Sequence, residues 1–294
     1  MKAELILDMR ALLGEGALWH TGTQRLFWVD IEGRKLHWYR PADGSMHSIN
    51  VEERIGTVVL ASENKAVIAL QNGIHTLNLT DESLTLMANP LEGKGDIRFN
   101  DGKCDPAGRL WVGSMHLLSQ PHVASLYRID ASYGVERVLD NITISNGIVW
   151  SLDHKTMYYI DSPTREIKAY AYDIDTGQIA HPSVAVKVPK DIGDPDGMTI
   201  DDEGMLWVAH WGGHCVMRWN PATGEPLCKV EVPAPLVTSC AFGGDRLDTL
   251  YITTARTRLS DEMLAKFPYS GGVFACNPGV RGVPAHTFGQ SENA

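Results

Sequence analysis

No apolar run in the sequence approaches the roughly 20 residues that a helix needs to cross a bilayer, so no membrane partner is expected. The start of the chain has no uncharged apolar stretch of the signal-peptide kind, because Glu4, Asp8 and Arg10 interrupt it. Cysteine is scarce. Cys104, Cys215, Cys228, Cys240 and Cys276 are odd in number, scattered, and never in a Cys-x-x-Cys pair. That pattern signals neither a disulfide framework nor a cysteine-held zinc, and it fits reduced thiols in a cytoplasmic compartment. Basic charge is in deficit, with 26 Lys and Arg against 36 Asp and Glu, a net charge of −10 that argues against a nucleic-acid partner. Long amphipathic helical patterns are missing, apart from a short helix expected near "SDEMLAKF". There is no G-x-S-x-G elbow and no G-x-x-x-x-G-K-[ST] phosphate cradle.

What the 294 residues do contain is a repeat. Segments rich in aromatic and β-branched residues are centred on Trp28, Ile68, Trp111, Tyr159, Trp207 and Tyr251, at intervals of 40 to 48 residues. A polar turn precedes most of them ("DPAG", "LDHK", "DDEG") and another strand-like run follows each ("ASLYRID", "EIKAYAYD", "CVMRWNP"). Strand, turn, strand, gap, strand is the pattern of a β-meander. Six copies predict an all-β fold: a six-bladed β-propeller with four-stranded antiparallel blades around a central channel, in one domain spanning residues 1–294. A large β-sandwich would also show frequent strands, but it would not require every hairpin to match its counterparts.

Alignment of the units places a leading residue 11 to 13 positions before each landmark: Glu15, Thr57, Asn100, Asn146, Asp196 and Ser239. In a propeller, equivalent positions lie on a ring around the axis, so Glu15, Asn100, Asn146 and Asp196 are expected to converge. Two carboxylates and two amides offer only oxygen ligands, which suit Ca²⁺, Mg²⁺ or Mn²⁺ and admit Zn²⁺. Asn and Asp also favour turns, so each residue alone could simply open its strand. The i, i+4 histidines of "HWGGH" (His210 and His214) fall in a strand and turn, not on a helix face, although His210 could still reach a substrate. "DIDTGQ" lacks the glycine and closing glutamate of a calcium loop and reads as a hairpin turn. Trp19 and Trp211 are candidates for the pocket edge.

The stretches "GEGALWH", "LFWVDI", "RFNDGKCDPAGRLWVGSM", "ISNGIVWSLDHKTMYYIDS", "DPDGMTIDDEGMLWVAHWGG" and "TSCAFGG" resemble, in order, the SMP-30/gluconolactonase (regucalcin-like) family of six-bladed propellers. That resemblance implies one divalent metal held by Glu15, Asn146 and Asp196, with Arg98 and Asn100 contacting substrate. It also implies a lactonase acting on sugar lactones; related propellers hydrolyse organophosphates. The sequence departs from the pattern in "GSMHLLSQ", where His116, Leu117 and Leu118 stand where some members carry an acidic substrate contact.

These readings lead to a metal-dependent hydrolase that opens aldonolactones such as gluconolactone. Asp196 is expected to ligate the cation and assist water, Glu15 and Asn146 to ligate, and Arg98 and Asn100 to orient sugar oxygens. Ca²⁺ is the first expectation, with Zn²⁺, Mn²⁺ or Mg²⁺ as alternatives. Two other functions compete: hydrolysis of an organophosphate or other ester at the same metal, and a non-enzymatic calcium-binding protein.

Overall fold

The computed structural model describes residues 1–290 and is built almost wholly of antiparallel strands. Each unit begins with an inner strand: Gly14–His20, Ile55–Ser62, Ile97–Cys104, Ser145–Trp150, Asp194–Ile200 and Leu236–Gly243. These inner strands lie against one another in a closed cycle, the last packing on the first. Outer strands then follow by hairpins. The landmark aromatics and their equivalents fill the layers between sheets: Trp28, Ile68, Trp111 and Trp207 are fully buried, and Tyr159 and Tyr251 nearly so.

Hydrogen bonding divides the strands into four separate four-stranded blades and one eight-stranded sheet. The expected propeller-like ring of four-stranded blades is therefore present, but the last seven strands and the first, Glu4–Leu7, are joined into one sheet. The join is a single register pair, Trp211 with Leu236, where the end of strand Leu206–Trp211 meets the start of the next inner strand. Within that sheet, strand Glu4–Leu7 pairs with Val273–Cys276, so the two ends of the chain complete it together. At the far end of the channel, the segment 277–290 ties several units together. Gly282 N–H donates to Leu247 O, Phe288 N–H to Leu60 O and Gly289 N–H to Gly108 O, each at 2.8 Å. The expected short helix spans Asp261–Lys266, and the Ser260 hydroxyl caps it by accepting from Met263 N–H at 3.3 Å.

The polar turns of the repeat also hold the blades together. Asp105 of "DPAG" is fully buried. Its carboxylate accepts from Arg109 Nε at 2.7 Å, and from Trp111 Nε1 and the Tyr172 hydroxyl at 2.8 Å. Asp201 of "DDEG" repeats the arrangement with Trp207 Nε1 and Arg218 Nε. Asp105→Ala would leave an indole N–H, a phenol and a guanidinium buried without their partner. The expected cost is roughly 3–5 kcal/mol, which a thermal melt would show as a fall of the order of 10 °C.

No helix among the described residues is long and apolar enough to cross a membrane.

Candidate active site at the channel mouth

The polar residues that open the inner strands sit on irregular backbone. In each of the six inner strands the ladder slips at or beside the leading residue: at Glu15–Leu18, Ile55–Thr57, Phe99–Gly102, Ser145–Ile148, Pro195–Met198 and Val237–Ser239. A bulge leaves a residue out of the ladder and re-aims its side chain. Small residues let adjacent inner strands close up behind it. A Cβ on Gly147 would lie 2.6 Å from Met198 Cβ and 2.7 Å from Asp196 O, so the residue after Asn146 has to be glycine.

Four of the six leading residues, Glu15, Asn100, Asn146 and Asp196, line one cavity of about 560 Å³ together with Arg98. All five are only 5% exposed. The remaining two serve as staples between neighbouring strands. Thr57 Oγ1 donates to Gly102 O at 2.9 Å, and Ser239 Oγ accepts from Ala17 N–H at 3.3 Å.

A chain of hydrogen bonds orients the amides. Arg98 Nη1 donates to Asn100 Oδ1 at 2.6 Å, and Asn100 Nδ2 donates to Asn146 Oδ1 at 3.0 Å. Asn146 Nδ2 donates to Ser162 Oγ at 2.8 Å, and that hydroxyl donates to Pro195 O at 2.6 Å. Because the Pro195 carbonyl can only accept, Ser162 must receive from Asn146, which fixes the amide with its oxygen away from Ser162. That oxygen keeps a second lone pair beyond the one used by Asn100. Ser162 is a site residue that sequence reading missed. Its place just after the second strand of its hairpin, in "YYIDSP", gave no chemical signal.

The two carboxyls resist ionisation without a cation. Burial, then Asp101, pushes the Glu15 carboxyl up to about 8, with the Gly16 N–H and the Arg98 guanidinium opposing. Asp196 is raised well above the carboxylate range by burial, then by Glu15 and Asp101, against Arg98. The Arg98 guanidinium faces Glu32 as well as Glu15 and Asp196, and Asp196 Oδ1 is buried with no hydrogen-bond partner among the described residues. Two carboxylates, an oriented amide oxygen and an orphaned carboxylate oxygen suit a hard divalent cation whose coordination shell water completes. Among the described residues no group of three or more His, Cys, Asp or Glu is placed to hold a metal. A cation here would draw on only two carboxylates and so depend on Asn146.

Other candidates fall elsewhere. His210 is fully buried, accepts from Trp219 Nε1 at 3.4 Å, and is pushed down to about 3 by burial. It does not line the cavity; strand alternation points Trp211 there instead. His214 packs on Phe267, with ring centroids 5.0 Å apart. Trp19 stacks on Tyr251 and borders a smaller cavity at the other end of the inner strands, so it is not an edge of this pocket. "DIDTGQ" forms the expected turn, with Asp173 Oδ1 accepting from Thr176 N–H at 2.8 Å. Leu117 lines the cavity, whereas Leu118 is 85% exposed.

Residues 13–256 match the family described as SMP-30/Gluconolactonase/LRE-like region. A Bacillus subtilis (strain 168) protein, YvrE, provisionally named a sugar lactone lactonase, is 39% identical over 275 residues, covering 94% of each chain. Regucalcin of Danio rerio is 39% identical over 291 residues, covering 98% of each. A solved structure of a calcium-binding protein, regucalcin, from Agrobacterium tumefaciens superposes with a TM-score of 0.94 at 27% identity, covering 98% of this chain and 97% of that one. The chain belongs to the SMP-30/gluconolactonase/LRE-like family.

Proposed function

We propose that this protein is a divalent-metal-dependent hydrolase that opens sugar lactones, gluconolactone among them, to the corresponding aldonic acids. The observation that carries the proposal is the convergence of Glu15, Arg98, Asn100, Asn146 and Asp196 on one cavity, with Asp196 Oδ1 left without a partner among the described residues. The sugar lactone lactonase name of the Bacillus subtilis relative supports the substrate class, and the calcium-binding name of the Agrobacterium tumefaciens protein supports Ca²⁺ as the first choice of metal. Zn²⁺, Mn²⁺ and Mg²⁺ are alternatives for the same oxygen donors. We also read the eight-stranded sheet as two blades meeting at Trp211 and Leu236, which makes six around the channel. Five unpaired cysteines fit a reducing, cytoplasmic setting.

Glu15, Asn146 and Asp196 would hold the cation, which supplies Lewis acidity toward the lactone carbonyl oxygen. Arg98 donates to the substrate's oxygens, and Asn100, whose amide N–H groups are held by Ser145 O at 2.7 Å and Asn146 Oδ1 at 3.0 Å, accepts from a substrate hydroxyl through Oδ1. Asp196 takes a proton from water as the water oxygen bonds to the acyl carbon. The ring C–O bond then breaks, and the ring oxygen leaves with the proton returned by Asp196. The product is a hydroxy acid, whose ionisation at neutral pH releases one proton.

That proton is the assay. In weakly buffered indicator solution, δ-gluconolactone is expected to acidify far faster with protein than without, and excess EDTA to remove the difference. Turnover of a phosphotriester with none of the lactone would favour the ester-hydrolase reading. Cation binding with no turnover of either would favour the binding-protein reading.

A further inference from the structure

The wall of the cavity differs from its floor. The floor is polar, but Leu12, Leu13, Met115, Leu117, Ile144 and Trp211 contribute apolar side chains to the same space, Met115 and Trp211 from two different sheets and the others from the loops and bridges beside the inner strands. We propose that the preferred substrate is a lactone bearing an apolar alkyl or aryl substituent, its ring over the polar floor and its substituent against this wall. This inference rests on the reading of the cavity as a lactonase site.

Three observations support it. The cavity, about 560 Å³, lies within the range of roughly 300–1,000 Å³ that engulfs drug-sized ligands. A bare aldonolactone is a single ring with short polar arms and leaves much of that space unfilled. Second, the wall is built in advance. Met115 and Ile144 are joined by a β-bridge, Leu13 is bridged to Ala255, and the Leu12 carbonyl accepts from Arg256 N–H at 3.2 Å and Thr257 N–H at 2.9 Å. Leu12 is nevertheless 47% exposed, so the fold holds an apolar side chain in water beside the cavity. Third, two carboxylates near the wall already have cationic partners. Glu32 accepts from Arg54 Nε at 2.9 Å, and Asp194 pairs with Arg165. Ser119, Thr257 and Arg258 are exposed or half-exposed and therefore solvated without a ligand.

A polyhydroxy ring pressed on this wall would bury hydroxyls without partners, whereas an alkyl chain would remove apolar surface from water. The test is a series of δ-valerolactone, δ-octalactone and δ-decalactone beside δ-gluconolactone, assayed with saturating Ca²⁺. Each added methylene is expected to raise kcat/KM by about fourfold, the equivalent of about 0.8 kcal/mol. The non-hydrolysable lactam analogue of δ-decalactone should raise the melting temperature more than that of δ-valerolactone does. Leu117→Glu should shift the decalactone-to-gluconolactone ratio by at least about tenfold toward gluconolactone. Ile144→Thr, which trims the side chain by a methyl group and places a hydroxyl on the wall, should lower the same ratio without charge. Gluconolactone turnover with a flat or falling alkyl series would overturn this inference and leave the lactonase reading intact. No turnover of any lactone would overturn both.

Discussion

Asp196→Asn is expected to lower kcat for δ-gluconolactone by at least about a hundredfold while the protein stays folded and binds its cation at saturating concentration. The substitution keeps one oxygen at nearly the same place, so oxygen ligation survives in part. It removes the group that can take a proton from water, and an amide cannot replace it in that role. The fold should tolerate the change, because Asp196 is 5% exposed beside Glu15, and the pair repel each other when both are ionised. Burial and Glu15 already hold the Asp196 carboxyl above the ordinary carboxylate range, so an uncharged amide suits the metal-free site and the metal-free variant should melt no lower than wild type. Three measurements together decide the matter: kcat by indicator assay, bound metal by elemental analysis, and melting temperature. Near wild-type turnover with metal bound would rule out Asp196 as the base. A loss of turnover accompanied by a collapsed melting temperature would trace the effect to folding.

The ring of leading residues was legible in the sequence because a propeller repeats its register. Once Trp28, Trp111, Tyr159 and Trp207 are aligned, Glu15, Asn100, Asn146 and Asp196 fall in equivalent places, and all four line one cavity. Sequence alone does not separate these four from Thr57 and Ser239, which occupy equivalent places yet bond to neighbouring strands. The difference is one of what else the side chain carries: Asn100 also bonds to the neighbouring backbone, at Ser145 O, yet its amide oxygen still takes Arg98. The eight-stranded sheet was hidden because its continuity depends on one backbone pair, Trp211 with Leu236, and no residue type encodes that. His210 misled for a different reason. Its place near the expected channel mouth suggests contact with substrate, but strand alternation turns His210 inward onto Trp219 and gives the cavity to its neighbour Trp211. The Asp105 and Asp201 turns were recognised as turns, but their role as clasps for Trp111 and Trp207 depends on Tyr172 and Arg218, which come from later strands.

The paired carboxylates predict that the metal-free protein loses stability as pH rises through neutrality and that a divalent cation reverses the trend. Glu15 is pushed up to about 8 in the folded chain from an ordinary 4.5, chiefly by burial, so between those values the native state holds a proton that the unfolded chain has released. Stability therefore falls with rising pH across that window, since the native state binds more protons there. Buried histidines act in the opposite sense at the acid end. His37 is pushed down to about 4 and His210 to about 3, so the unfolded chain binds protons at these positions that the native chain refuses. That opposition fades above the ordinary histidine value of about 6.5, and the unfolded cysteines begin to ionise only above about 8. From about pH 6.5 to about pH 8, then, the carboxylates dominate the slope, at a cost on the order of a few kcal/mol. A cation requires both carboxylates ionised, so it displaces their protons and binds more tightly at higher pH. With EDTA the melting temperature should decline across this window. With excess Ca²⁺ the curve should lie higher, and the gap between the two should widen toward pH 8. Glu15→Gln should flatten the EDTA curve, because the amide has no proton to lose, and should narrow the gap. Curves that run parallel with and without Ca²⁺ would show that no cation is held by these carboxylates.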